Sequence, residues 1–232
     1  MVSEVPGVLA VVPSFSEEGE IAATVRSLLS LARVAEVVVV DDASPDGTAR
    51  NAREAGARVL VNGSNLGKGR SLARALADLS FDILLLVDGD LGEHALEAEK
   101  LIVPVCAGEA DLVIAAFGRA SRKGGFGLVR GLAAGAIERL AGRRMRSPIS
   151  GQRCITRAVY EACSPFAPGF GMEVAMTIDA LRAGFRVVEV ETSMSHRETG
   201  RDLAGFVHRG RQFLDVLVAV ATRIPGGKTC PP

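Results

Sequence analysis

Residues 83–90 read ILLLVDGD, five apolar residues followed at once by two carboxylates on either side of a glycine. An uninterrupted apolar run of this length indicates a strand that is buried on both faces, as in parallel sheets. Similar short runs, rich in β-branched residues, occur at 8–12, 37–40, 59–61 and 112–116. Helical patterns lie between them, at about 17–31, 46–54, 69–79 and 93–106. The alternation predicts an α/β fold, with a mostly parallel, Rossmann-like sheet and helices on both faces.

The second half of the chain has a less regular pattern. A glycine-rich basic loop at 121–127 precedes a predicted helix at 128–141, and residues 150–153 enter a short strand or turn. We expect a helix at 172–183, a strand at 186–190 and a last helix from 203 to about 223. We therefore divide the chain into a main domain at 1–202, a C-terminal helix at 203–224 and a disordered tail at 225–232.

The overall composition excludes several classes of function. The 232 residues include 27 basic and 27 acidic side chains, so the net charge is zero and we expect no nucleic-acid partner. The N-terminus lacks a signal-peptide pattern, and no apolar run reaches the roughly 18–20 residues that cross a bilayer. The four cysteines show no metal-ligand spacing. We expect a cytoplasmic protein with reduced thiols.

Acidic and polar clusters follow three of the predicted strands. They are Ser14–Glu18, Asp41–Asp46 and Asp88–Asp90. Parallel strands place their carboxyl ends at one edge of the sheet, which is where open α/β sheets bind ligands. We expect the three clusters to converge there.

Asp88 and Asp90 are candidate metal ligands. Two carboxylates separated by Gly89 at a strand end form a hard-oxygen site for Mg²⁺ or Mn²⁺, with waters and substrate phosphates completing the shell. Such an ion would stabilise charge on a leaving diphosphate. The tripeptide alone is also a common turn, and its position after a buried strand favours the metal site.

The other two clusters allow both a binding and a capping interpretation. Asp41 and Asp42 are paired carboxylates that could accept hydrogen bonds from a nucleoside, whereas Asp46 and Ser44 are better explained as helix caps. Residues 13–18 form either a nucleoside-binding loop or a helix start capped by Ser16.

Residues 65–70, NLGKGR, place two glycines and two cations before a helix. This pattern predicts a local anion site around Lys68, and a solvated surface loop is the alternative.

In their order along the chain, these four motifs resemble family-2 glycosyltransferases of the GT-A fold over about residues 8–202. The resemblance is greatest to polyprenyl-phosphate mannose and glucose synthases and to glucosyl-phosphoglycerate synthases. It implies a nucleotide-diphosphate sugar donor, with a nucleotide-binding half at 1–117 and an acceptor half at 118–202. The donor side would comprise Pro13, Phe15, Glu17, Asp41, Asp42, Lys68, Asp88 and Gly89. The family usually has Asn at the position of Ser16, and the prenyl-phosphate enzymes tend to have Gln at that of Gly92.

The resemblance also assigns roles in the second half. Residues 150–153 and 169–174 resemble acceptor-side segments, which makes Gln152 and Arg153 candidate phosphate or acceptor contacts. His196 stands where the phosphoglycerate-type enzymes have a further metal ligand, with exposure to solvent as the alternative. The same loop carries Arg197 and Arg201, which suit phosphate contacts.

Asp90 and Glu173 are the candidate catalytic residues. Glu173 would act as a general base or contact the acceptor hydroxyl, although a glutamate in the first turn of a helix is also favoured by the helix dipole alone. The apolar stripe of the last helix fits packing on the core or across a homodimer, and it also fits peripheral contact with the inner face of a membrane.

The predicted function is metal-dependent transfer of a hexose to an acceptor, either a polyprenyl phosphate or a small phosphorylated molecule. The alternative is a non-catalytic nucleotide-sugar-binding protein of the same fold. Nucleotidyltransferases and dinucleotide-dependent oxidoreductases need a glycine-rich loop after the first strand, which residues 14–18 lack.

Overall fold

The structure is a computed structural model that describes residues 7–117, 127–167, 169–194 and 214–224. The strands are β1 Val8–Ser14, β2 Val34–Asp41, β3 Arg58–Val61, β4 Ile83–Leu86, β5 Leu112–Phe117, β6 Arg153–Thr156 and β7 Val187–Thr192. The helices are α1 Ile21–Leu29, α2 Thr48–Glu54, α3 Lys68–Ala77, α4 Glu99–Cys106, α5 Gly127–Ala141, α6 Arg157–Cys163, α7 Met172–Arg182 and α8 at 214–221. Short 3₁₀ helices at Gly92–Ala98 and Gly169–Gly171 precede α4 and α7.

The strands form one seven-stranded sheet in the order β3-β2-β1-β4-β6-β5-β7. All pairings are parallel except those of β6, which runs antiparallel to β4 and to β5. The prediction of a mostly parallel sheet is confirmed. Because β6 comes from the second half of the chain and lies between two strands of the first half, both halves build one sheet.

Helices cover both faces of the sheet, as predicted. Alternate residues of each buried strand point to opposite faces, so Val8, Ala10 and Val12 pack with α1, α2 and α4. Leu9 and Val11 pack with α3, α5, α6 and α7 on the other side. Because both faces of these strands are buried, the strands appear in the sequence as continuous apolar runs and not as alternating apolar and polar residues.

The central pairings bring three strand ends together. In the β1–β2 register Ser14 lies beside Asp41, and in the β1–β4 register Val11 lies beside Leu86. The loops after β1, β2 and β4 therefore leave the sheet at the same edge. This is the geometry that the polar clusters predicted.

The C-terminal helix packs against α7. Val216 and Ala219 are buried in α8, and the Arg223 guanidinium forms an ion pair with the Asp179 carboxylate of α7. The predicted packing of this helix on the core is thus confirmed for one face of α8. The other face exposes Leu214, Leu217 and Val218. The remainder of the predicted helix, the tail at 225–232 and most of the 121–127 loop lie outside the described residues.

Candidate functional site

The loops that follow β1 and β2 are joined by hydrogen bonds. The backbone N–H of Ser16 donates to Ser44 Oγ at 3.0 Å, and that of Glu17 donates to Thr48 Oγ1 at 2.8 Å. Ser16 and Ala43 have φ angles of 59° and 63°, a left-handed conformation that non-glycine residues seldom adopt. Strained backbone held by neighbouring contacts is common at functional sites.

The expected capping roles in these loops need correction. Helix α1 begins at Ile21, so Ser16 is not its N-cap, and Ser44 donates its hydroxyl to the Asp41 carboxylate instead of capping α2. Asp46 does accept a hydrogen bond from the backbone N–H of Thr48, the first residue of α2, at 3.0 Å. Ser44 therefore serves to connect Asp41 with the β1 loop.

Thr24 of α1 holds the turn that carries the two carboxylates. Its buried hydroxyl donates to the Gly89 carbonyl at 2.9 Å and accepts from the Gly92 N–H at 2.8 Å. A Cβ on Gly89 would lie only 2.6 Å from Ser14 Oγ, so the turn packs directly on the β1 loop. The predicted convergence of the three clusters is confirmed. Nothing in the sequence pattern singled out Thr24, which lies among the buried residues of α1.

The structure also explains the glycine at position 92. Its φ is 55°, and a Cβ there would lie 2.8 Å from Glu20 Oε2. A glutamine, as in the prenyl-phosphate enzymes, would be strained at this φ, and the Glu20 carboxylate would have to move to make room for it. The local backbone therefore favours glycine at this position.

The glycine turn before α3 does bind an anion, and the anion is the chain's own Asp42. The Leu66 and Gly67 N–H groups donate to the Asp42 carboxylate at 2.9 and 2.7 Å, and Asn62 Nδ2 donates at 2.8 Å. Asp42 is 5% exposed. It therefore fixes the position of the turn from which Lys68 extends.

The other predicted donor-side residues lie around the same edge. Phe15 is exposed, Pro13 and Glu17 are partly buried, and Asp41 is buried. An exposed aromatic ring next to a hydrogen-bonded loop is suited to stacking on a base. Nucleotide contacts by these residues and by Asp42 stay predictions.

Lys68 joins the donor side of the site to the acceptor side. Its ammonium lies 2.7 Å from Asp88 Oδ1 and 3.1 Å from Glu173 Oε1. Glu173 opens α7 and its side chain is only 5% exposed. Burial acts to lower the pKa of Lys68, but the attraction of Asp88, followed by that of Glu173, raises it above its usual value. The ammonium thus stays charged at neutral pH.

Gly151 and Gln152, which come directly before β6, lie against Lys68 and Asp88. Gln152 is fully buried and donates its Nε2 to Asp88 Oδ2 at 2.8 Å. A Cβ on Gly151 would lie 2.6 Å from Lys68 Nζ and 2.9 Å from Asp88 Oδ2. Gly151 therefore leaves the space in which the ammonium meets the carboxylate. We call Lys68, Asp88, Gln152 and Glu173 the bridging cluster.

The structure contradicts a direct phosphate contact by Arg153. Its side chain is fully buried, and its nitrogens donate to the Ser150 carbonyl at 2.8 Å and to Thr177 Oγ1 at 2.9 Å. Burial lowers its pKa to about 10, and Glu173 opposes that shift. Arg153 holds the 148–150 turn against α7. The prediction came from the resemblance of residues 150–153 to acceptor-side segments, and such a resemblance does not show whether a side chain is exposed.

Asp88 and Asp90 fit a magnesium or manganese ion. Both are partly exposed at the strand end, and two carboxylates with phosphate oxygens and water form the shell that Mg²⁺ usually takes. Within the described residues, no three ligating side chains gather to hold a metal by themselves. His196, Arg197 and Arg201 lie outside the described part of the chain, so their predicted roles stay predictions.

The chain matches Glycosyl transferase family 2 over residues 9–166. It is 31% identical to the glycosyltransferase AglJ of Haloferax volcanii over 72% of its own length, and it spans 56% of that relative. It is 30% identical to the glucosyl-3-phosphoglycerate synthase of Mycobacterium tuberculosis, covering 86% of this chain and 69% of the relative.

A crystal structure of that synthase with Mn²⁺, uridine diphosphate and phosphoglyceric acid superposes with a TM-score of 0.78 at 29% identity, covering 94% of this chain and 78% of that one. The predicted GT-A fold and the predicted glycosyltransferase activity are both confirmed by these similarities. The chain belongs to glycosyl transferase family 2.

Proposed function

We propose that this enzyme transfers a hexose from a uridine-diphosphate sugar to a small phosphorylated acceptor such as phosphoglycerate, with Mn²⁺ or Mg²⁺ as cofactor. The bridging cluster is the observation that carries this proposal. The Lys68 ammonium contacts the Asp88 carboxylate of the Asp88-Gly89-Asp90 turn. It also lies 3.1 Å from the carboxylate of Glu173, at the start of α7. One cation thus ties a donor-side residue to an acceptor-side residue.

On the donor side, Asp88 and Asp90 would hold the metal. The bound ion would offset the charge that develops on the leaving diphosphate, which is Lewis-acid assistance. Gln152 orients Asp88 through a 2.8 Å hydrogen bond, and Thr24 fixes the turn through the Gly89 carbonyl at 2.9 Å. Carboxylates held in this way need little rearrangement when the donor binds.

On the acceptor side, Glu173 would contact the attacking hydroxyl. Its carboxylate is buried beside Lys68, and α7 fixes its backbone through Thr177, whose hydroxyl donates to the Glu173 carbonyl at 2.8 Å. The acceptor phosphate needs cations, and the arginines at 197 and 201 are the candidates that the sequence supplies. The relative of known structure was crystallised with phosphoglyceric acid, which supports an acceptor of this class.

The exposed face of α8 supports two further proposals that the sequence raised, a homodimer and contact with a membrane surface. Leu214, Leu217 and Val218 of this face, together with Ile224 just after the helix, are 37–61% exposed. Among the described residues, no helix is both long and apolar enough to cross a bilayer. Light scattering tests the dimer, and sedimentation with anionic lipid vesicles tests the surface contact. The proposed cytoplasmic location is tested by cell fractionation.

Thermal stability with sugar nucleotides tests the proposed function. At a donor concentration of about 100 times Kd, binding adds about 2.7 kcal/mol to the free energy of unfolding. For a chain of this size the midpoint then rises by about 5–10 °C. We expect this rise with UDP-glucose and Mn²⁺ together, and transfer of glucose to 3-phosphoglycerate under the same conditions. Parallel reactions with GDP- and ADP-sugars, and with polyprenyl phosphate as acceptor, test the specificity.

Asp90→Asn should abolish the Mn²⁺-dependent stabilisation, and His196→Ala should weaken it. Asp78→Asn is the matched control, because Asp78 is an exposed carboxylate at the C-terminal end of α3, the end opposite to Lys68. The proposal is wrong if no sugar nucleotide stabilises the protein in a metal-dependent way. Binding without transfer to any acceptor would instead favour a nucleotide-sugar-binding protein.

A further inference from the structure

The C-terminal helix α8 packs directly on the 3₁₀ helix Gly169–Gly171, which we call the α7 turn because α7 follows it. A Cβ on Gly171 would lie 2.6 Å from the Asp215 carbonyl oxygen and 2.6 Å from Ala219 Cβ, both in α8. A Cβ on Gly169 would overlap the Asp215 carboxylate. The two glycines therefore let the backbone of the α7 turn approach α8 closely.

The α7 turn contacts α3 as well as α8. Glu173, the candidate acceptor contact, follows the turn by two residues, and its side chain is only 5% exposed. The backbone of the turn leads straight into the first turn of α7, so a shift of the one moves the other. The position of the Glu173 carboxylate thus depends on how α3 and α8 hold the α7 turn.

Arg223, just after α8, ties this helix to α7. Its Nε lies 2.8 and 2.9 Å from the two carboxylate oxygens of Asp179, and the two side chains are only 17% and 23% exposed. The same guanidinium donates through Nη1 to the Ala219 carbonyl at 3.2 Å. Because Ala219 also lies against Gly171, a chain of contacts runs from Asp179 through Arg223 and Ala219 to the α7 turn.

The C-terminal ends of three helices meet at Arg182, the last residue of α7. Its Nε donates to the Leu140 carbonyl of α5 at 2.9 Å, and its Nη1 donates to the Arg223 carbonyl at 2.7 Å. The last carbonyls of a helix lack partners within it and carry partial negative charge, so a guanidinium is favourable there. Helix α8 is therefore fixed by two arginines in addition to the buried side chains of Val216 and Ala219.

We propose that α8 belongs to the acceptor side of the active site and that Arg223 is a positioning residue for transfer. Through Ala219 it holds the α7 turn, and through the turn it fixes Glu173 against the acceptor. This inference rests on the proposed function, and it goes further because it gives the C-terminal helix a part in transfer. The donor side is built from the loops after β1, β2 and β4, so loss of the Arg223–Asp179 ion pair should impair transfer and leave donor binding intact.

The experiment compares wild type with Arg223→Met in the transfer of glucose from UDP-glucose to 3-phosphoglycerate, at a temperature at which both proteins are folded. A misplacement of about 1 Å in an active site can cost about 100-fold, and the apolar contacts of α8 limit the shift, so we expect kcat to fall on the order of tenfold. The affinity for uridine diphosphate with saturating Mn²⁺, measured by isothermal titration calorimetry, should be unchanged.

Arg186→Met is the matched control. Arg186 also pairs with an aspartate through two of its nitrogens, at 3.0 and 2.8 Å from the oxygens of Asp111, but it lies just before β7 and has no contact with α8 among those that hold this ion pair. This variant should lose stability and keep the kcat of wild type. The comparison separates the loss of an ion pair in general from the loss of the one that holds α8.

Asp179→Asn removes the charged partner and keeps its size, so it replaces Arg223→Met if that variant does not fold, and kcat must again fall without a change in affinity. Unchanged kcat in these variants overturns the inference and leaves the proposed function standing, provided that wild type transfers glucose. A loss of affinity for uridine diphosphate as large as the loss of kcat also overturns it, because it indicates a general disturbance of the fold. A wild type that transfers glucose to no phosphorylated acceptor overturns the proposed function, and this inference with it.

Discussion

Replacement of Gly151 by alanine tests whether the bridging cluster is as closely packed as the structure indicates. The new Cβ would lie 2.6 Å from Lys68 Nζ, with the two Asp88 oxygens at 2.9 and 3.2 Å. An ordinary contact of this kind is about 3.4 Å, so the ammonium would have to move by about 0.8 Å. If it moves away from Asp88, the 2.7 Å ion pair lengthens to about 3.5 Å and ceases to be a hydrogen bond.

The magnitude follows from the burial of the pair. A hydrogen bond between charged groups contributes about 1.5–3 kcal/mol when it is well shielded. Lys68 and Asp88 are each about a quarter exposed, and water recovers part of the loss, so we expect about 1–2 kcal/mol. In a protein of this size, the unfolding midpoint should fall by about 2–8 °C. Because the carboxylate also moves in the active site, kcat/KM for transfer should fall by about 100-fold.

Thermal unfolding and initial rates of transfer measure these two effects. Gly131→Ala provides a control of opposite sign, because Gly131 lies inside α5 and a Cβ there meets no atom within 4 Å. That variant should gain about 0.5–1 kcal/mol and keep full activity. Full activity and unchanged stability of Gly151→Ala would refute the reasoning. A loss of stability without loss of activity would show that the ion pair supports the fold and plays no part in transfer.

Two further predictions concern carboxylates outside the bridging cluster. Asp42→Ala should lower the free energy of unfolding by about 2–4 kcal/mol in chemical denaturation, because the partly buried N–H groups of Leu66 and Gly67 and the buried amide of Asn62 lose their acceptor. A change in donor affinity alone would contradict this structural role. Hydrogen bonds from Arg186 lower the pKa of Asp111 below its value in the unfolded chain, so its stabilising contribution is complete above about pH 4 and is lost as the pH falls through the folded-state pKa. Asp111→Asn should therefore be less stable than wild type at pH 7 and converge with it in acid, as urea unfolding across that pH range would show, and a constant difference at all pH values would contradict the assignment.

The sheet was predictable from the sequence because its central strands are fully buried. Apolar runs at 8–12, 37–40 and 83–87 leave little choice of structure, and each became a strand, although β2 begins three residues earlier than predicted and β1 ends two residues later. Strand β6 was harder to predict. It has only four residues, and its antiparallel pairing with β4 and β5 depends on contacts between segments about 40–70 residues apart, which a local pattern does not contain.

The sequence predicted which loops form the site, but it did not predict which side chains contact each other there. Strand order brought the three acidic clusters together, and that followed from topology alone. The contact partner of each charged group did not follow from the topology. The glycine turn before α3 has the pattern of an anion site, yet its N–H groups bind Asp42, 24 and 25 residues earlier in the chain, and Lys68 binds two carboxylates. A motif identifies groups that can bind an anion, whereas the fold determines which anion they bind.

The distribution of charge in the site bears on its dependence on metal. Three carboxylates lie at the site, those of Asp88, Asp90 and Glu173. The cations described beside them are the ammonium of Lys68 and the buried guanidinium of Arg153. Among these described residues carboxylates outnumber cations, so by themselves they repel a diphosphate that approaches this edge of the sheet. A divalent cation reverses that balance, because it places two positive charges beside the Asp88 and Asp90 carboxylates. Donor binding without metal should therefore be weak.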